Sequence, residues 1–152
     1  MTAKDKNLNN NLFVTEIYKI EKKKILKLPF YNSSVSAGFP SPAEDYIEKH
    51  LDLNEFLIPH PASTFLVRVS GYSMVNAGIH SGDILVVDRS LKTFDKNIVV
   101  AIIDGEFTVK RLRIKKQKLF LEPESDLFEP IEISDKHNFE IWGIVTAVIR
   151  QL

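Results

Sequence analysis

No cysteine occurs in the 152 residues, so disulfide bridges, thiolate zinc sites and thiol nucleophiles are all excluded. A chain without disulfides fits a reducing compartment. No apolar run approaches the roughly 18 residues that a membrane-spanning helix needs. Residues 1–11 are polar and asparagine-rich, unlike the apolar segment of a secretory signal. These features point to a soluble, cytoplasmic protein. Net charge is also lacking, because 20 Lys+Arg balance 20 Asp+Glu. Autonomous DNA binding usually needs a basic face, so no direct DNA binding is expected. Histidines are few and scattered, at 50, 60, 80 and 137, in no pattern with acids or serines that would mark a metal site or a catalytic triad. No metal and no cofactor is expected.

What the chain does have is apolar residues, 44% of the total, with 10% aromatic. That is enough for one domain with a packed core and a short appendage. Charge is unevenly placed. Residues 1–37 carry seven lysines against Asp5, Glu16 and Glu21, a net of +4, which leaves −4 on the remainder. Opposite signs would help to hold an N-terminal arm against the body, although exposed charges are screened and individually weak. A basic solvated tail is the alternative reading.

The arm holds Leu12-Phe-Val-Thr-Glu-Ile-Tyr-Lys-Ile20, of mixed strand and helix character, then the lysine run 22–24. Pro29 and the small polar residues 32–38 break regular structure and are open to a protease. Ser41-Pro-Ala-Glu44 combines a capping box with proline at the first helical position, so a helix is predicted to run from there through Tyr46, Ile47 and His50. From Thr64 the pattern turns to strands: 64–69, 84–87, 97–103, 106–112, 118–121, 131–133 and 139–149. Asp104-Gly105 between two of them is a strong hairpin signal. Many short strands, one helix and tight turns predict a mainly β, compact domain.

Two residues stand out chemically. Ser73, in Ser70-Gly-Tyr-Ser-Met74, follows a strand and a glycine that permits a sharp turn. Such a turn can point a hydroxyl outward while neighbouring N–H groups converge, which suits a nucleophile with an oxyanion hole. Most serines after a glycine simply serve the turn. Lys110 lies within a strand, sharing one face with Thr108 and Leu112. A lysine of ordinary pKa is a poor base at neutral pH, but burial disfavours the ammonium. A drop of about three units costs roughly 4 kcal/mol. The alternative for Lys110 is a solvated strand lysine. Met74 fits core packing as well as site lining, and Asp83 and Asp88 suit turns.

Four segments occur in order: Gly38-Phe-Pro-Ser-Pro-Ala-Glu-Asp-Tyr46, Ser70-Gly-Tyr-Ser-Met74, Gly82-Asp-Ile-Leu-Val-Val-Asp88 and Asp104-Gly-Glu-Phe-Thr-Val-Lys-Arg-Leu112. Together, and with Trp142-Gly-Ile-Val145, they resemble the LexA/UmuD family of self-cleaving serine–lysine peptidases, and the UmuD type in particular. The likeness spans nearly all of residues 38–152 and thins over residues 1–30.

The resemblance implies a mainly β LexA/UmuD-like peptidase and dimerisation domain at 38–152, behind an arm of residues 1–37 that self-cleavage removes. It implies Ser73 as nucleophile and Lys110 as general base. It also implies Ala37-Gly38 as the cleaved bond, with Val35 in an apolar subsite, and the backbone N–H groups of Ser73 and Met74 as oxyanion donors. Its implied partners are a second copy in a homodimer, a RecA–single-stranded DNA filament that stimulates cleavage, and a UmuC-type polymerase joined by the shortened dimer for lesion bypass in the SOS response. Tyr72 stands where the family commonly has an acid, and Asn76-Ala-Gly78 replaces a more acidic turn. Residues 1–37 show no helix-turn-helix pattern, so a repressor is not expected. Two rivals are a non-catalytic dimeric module of the same fold and a protease acting on other proteins.

Overall fold

The computed structural model describes residues 12–21, 27–31 and 47–152. They fall into two units. One unit holds residues 12–20 and 60–152, and within it the strands run β1 (Phe13–Lys19), β4 (Thr64–Ser70), β5 (Ile84–Asp88), β6 (Ile98–Ile103), β7 (Glu106–Lys115), β8 (Lys118–Glu122), β9 (Ile131–Ile133) and β10 (Phe139–Ile149). The other, within residues 21–59, holds β2 (Lys27–Tyr31) antiparallel to β3 (Ile47–Asp52), followed by the short helix α1 (Leu53–Leu57).

In the larger unit the sheet order is β1-β4-β5-β10-β6-β7-β8-β9, with antiparallel neighbours. Phe13 of β1 also pairs with Thr108 of β7, which closes six of the strands into a barrel. The expected mainly β domain is therefore present, and its strands start and stop within a few residues of the positions read from the sequence. β6 and β7 meet at Asp104 and Gly105, both at positive φ (49° and 85°), as a two-residue hairpin turn requires. β7 and β8 meet the same way at Lys116 and Gln117 (φ 49° and 62°), a turn made without glycine.

Successive valines of β6 feed opposite faces of the sheet. Val100 joins Leu12, Val67, Val69, Met74, Ile79, Leu85, Val87 and Val109 in one buried cluster. Val99 joins Ala101, Leu112, Leu121 and Ile144 in the other. This two-sided burial explains why β6 reads as an unbroken apolar run.

The expected helix beginning at Ser41 is corrected where it can be followed. Residues 41–46 lie outside the described residues, but Ile47 and His50 belong to strand β3. The pairing of β3 with β2, some twenty residues upstream, takes Ile47 and His50 out of the expected helix. A short helix, α1, starts after Asp52, whose carboxylate accepts from the Asn54 N–H at 2.9 Å, with Glu55 in the first turn.

Most of the arm's lysines lie outside the described residues. The ion pair between β1 and β4 has the acid on the arm, Glu16, and the base on the body, Arg68, 3.0 Å apart. Both are well exposed, so the pair adds little stability.

Candidate active site

β4 delivers the chain to Ser70, and Gly71 then turns it at φ 111°, a conformation that favours glycine. After the turn come Tyr72, half-exposed, and Ser73 and Met74, both fully buried. A short 3₁₀ turn, Val75–Ala77, ends at Gly78 with φ 80°. The stretch beyond β8 clamps this loop: the Glu124 N–H donates to the Ser73 carbonyl and the Asn76 N–H donates to the Glu124 carbonyl, each at 2.8 Å. Ser73 is thus fixed by packing and by main-chain bonds from a distant segment. Nothing in the sequence marked Glu124 for this role, because its backbone does the work.

β7 brings the second group. Lys110 pairs with Val99 of β6 in the middle of the sheet, where its side chain is only 2% exposed. Its Nζ lies 3.1 Å from Ser73 Oγ, 2.9 Å from Thr108 Oγ1 and 3.3 Å from the Val109 carbonyl oxygen. Thr108 is the partner that strand alternation had placed on the Lys110 face. Burial lowers the Lys110 pKa from 10.5 to about 8, since the ammonium loses its hydration. At pH 7 about a tenth of the amine is then uncharged, against about 0.03% at the ordinary value. A neutral amine can donate to Thr108 Oγ1 and the Val109 carbonyl while its lone pair faces the Ser73 hydroxyl. That is the arrangement a general base needs.

The structure therefore brings Ser73 and Lys110 together and places Met74 in the same turn. Ala37 and Gly38, with Val35, lie outside the described residues. Leu12, which the sequence did not single out, is fully buried beside the nucleophile, and its N–H donates to Ser73 Oγ at 3.2 Å.

Histidine and acid chemistry gathers elsewhere. His60 Nδ1 lies 2.6 Å from Asp88 Oδ2, and Ser63 and Ser90 donate to Asp88 Oδ1 at 3.2 and 2.7 Å. The hydroxyls bond the carboxylate rather than the imidazole, so this cluster is no nucleophilic triad. Asp88 tethers the loops on either side of it. Asp83 likewise holds a turn through the His80 N–H, and is paired with Arg150, whose guanidinium lowers the Asp83 pKa.

Residues 29–146 match the family described as Peptidase S24-like. The chain is 45% identical over 123 residues to Protein MucA of Salmonella typhimurium, covering 81% of this chain and 84% of that one. It is 50% identical over 123 residues to Protein ImpA of Escherichia coli, covering 81% and 83%. It is 41% identical over 117 residues to the LexA repressor of Glaesserella parasuis, covering 76% of this chain and 56% of the repressor. By sequence, the chain belongs to the Peptidase S24-like family of serine peptidases.

Proposed function

We propose that the protein is a self-cleaving serine peptidase in which Ser73 attacks the carbonyl carbon of Ala37. Uncharged Lys110 takes the Ser73 hydroxyl proton as the Oγ–C bond forms. The backbone N–H groups of Ser73 and Met74 hold the oxyanion of the tetrahedral intermediate. The intermediate collapses with loss of the Gly38 amine, which receives its proton from the Lys110 ammonium. Water, deprotonated by the same amine, then hydrolyses the acyl-enzyme and restores Ser73. Residues 1–37 leave, and residues 38–152 persist as the shortened form. The small Ala37 side chain suits a shallow pocket, and Gly38 lets the chain approach closely.

The observation that carries this reading is the 3.1 Å approach of the Lys110 amine to the Ser73 hydroxyl, both buried, with the lysine pKa lowered to about 8. We further propose that a RecA–single-stranded DNA filament stimulates cleavage in the cytoplasm during DNA damage, and that the shortened homodimer serves a UmuC-type polymerase in lesion bypass. The likeness to MucA, ImpA and LexA repressor supports that assignment.

Intact mass spectrometry after incubation with the filament tests it. The expected products are residues 1–37 and 38–152, absent from Ser73→Ala and Lys110→Ala. A chain that stays whole with the filament and at alkaline pH indicates a non-catalytic module. Cleavage of foreign Ala-Gly peptides with the Ala37-Gly38 bond intact indicates a protease of other proteins.

A further inference from the structure

Strand β1 reaches the nucleophile from the far end of the sequence. It runs antiparallel to β4, with Phe13 opposite Ser70 and Val14 opposite Val69, and Phe13 is also paired with Thr108 of β7. The segment therefore lies between the strand that leads to Ser73 and the strand that carries Lys110. Leu12, just before it, is buried among Met74, Val69 and Ile79. The Leu12 N–H is bonded to the same Oγ that the Lys110 amine approaches.

We infer that the groove between β4 and β7 is a binding site for an extended peptide, with an apolar socket at Ser73 that takes leucine, and that residues 12–14 of the chain's own arm are its resident occupant. A sheet edge holds an extended peptide by main-chain pairing and uses pockets for its side chains, which is how β1 is held. A bond can be cut only when its carbonyl carbon comes within about 3–3.5 Å of Oγ. Leu12 instead engages Oγ through a hydrogen bond from its own N–H, at 3.2 Å. On the proposed self-cleavage, the segment around Ala37 would compete with residues 12–14 for the place beside Ser73 Oγ, so β1 would withdraw before the scissile bond enters. Release of residues 1–37 would also remove the occupant and leave the groove open to an extended segment of another chain. The inference rests on the proposed self-cleavage for its second occupant but not for its first.

A disulfide lock separates the two. The chain has no native cysteine, so Phe13→Cys with Ser70→Cys creates a single cross-strand pair next to Leu12. Two readouts are taken in oxidised and reduced forms. One is phosphonylation of Ser73 by a fluorophosphonate, which forms the Oγ–P bond with loss of fluoride. The other is the appearance of residues 38–152 by mass after reduction. The oxidised form is expected to label and to cut at least about tenfold more slowly, a difference of about 1.4 kcal/mol in barrier, with recovery on reduction. Equal labelling in the two forms would overturn the inference. Labelling that depends on reduction, without cleavage in either form, would support the inference and sink the self-cleavage reading. Leu12→Ala, which weakens the hold of β1 without a crosslink, is expected to label several-fold faster than the parent, and unchanged labelling in that variant would also overturn the inference.

Discussion

Replacing Lys110 by methionine should change how stability depends on pH, and the size of the change follows from the buried amine. The folded pKa is about 8 and the ordinary value is 10.5. Between these values the unfolded chain holds a proton that the folded chain has released, so stability rises with pH across that window. Above about 10.5 both states are uncharged and the penalty is gone. Below about 8 both are charged and the folded state bears it in full. The difference of 2.5 units, at about 1.36 kcal/mol each, makes the rise about 3 kcal/mol. Methionine has a similar length and no titration, so Lys110→Met should lack the rise. The comparison is best made in a Ser73→Ala background, which prevents cleavage, by urea unfolding at pH 7 to 11. Other groups titrate there too, including Tyr18, whose pKa is raised by its bond to Glu16. They cancel in the difference between the two proteins. The stability gap between them should shift by about 3 kcal/mol in favour of the lysine protein from pH 7 to 11. Parallel curves, within about 0.5 kcal/mol, would refute the claim that the amine is desolvated.

Three further outcomes follow from the structure. Thr108→Val removes a hydroxyl 2.9 Å from the Lys110 amine while keeping the side-chain shape; the plateau rate of self-cleavage should fall several-fold, and the ammonium, having lost an acceptor, should deprotonate at lower pH, shifting the acid limb of the rate profile downward. Gly143→Ala would place a Cβ 2.5 Å from Val87 Cγ1 and 3.2 Å from Arg89 Cγ, so it should cost about 1–3 kcal/mol in urea unfolding. Arg150→Met leaves the buried carboxylate of Asp83 without its guanidinium and should destabilise by about 1–3 kcal/mol near neutral pH. Because the native Asp83 pKa is lowered, chiefly by Arg150, the stabilisation is present above the ordinary carboxylate range and fades as pH falls through and below it, so the two proteins should converge in acid.

Much of the barrel was legible because its signals are local. Asp104-Gly105 supplies the left-handed turn that joins β6 to β7, and the runs on either side carry the β-branched residues that strands favour. The turn at Lys116-Gln117 lacks glycine, and nothing in its composition says that both residues adopt positive φ. Carrying the helix of Ser41 on through Ile47 and His50 misled, because a capping signal is local and says nothing of the pairing of β3 with β2. Asp52-Leu-Asn-Glu55, which opens α1, carried the same kind of signal eleven residues later. For the site, Gly71 announced a turn, but no spacing rule connects Ser73 with Lys110 across 37 residues. Resemblance to a known family paired them, and the sheet brings them within hydrogen-bond reach. Leu12 and Glu124 were illegible for a different reason. Both act through main-chain atoms, which every residue type possesses.

The protonation of Lys110 is accessible to direct observation. Carbon-13 NMR of the lysine side chains in the Ser73→Ala protein, with Lys110 assigned by its loss in Lys110→Met, follows the Cε shift as pH is raised. The buried amine should titrate near pH 8, well below the roughly 10.4 of lysine in a model peptide. A Lys110 midpoint at about 10.4, the value of lysine in a model peptide, would contradict it, and with it the assignment of that amine as the base for Ser73.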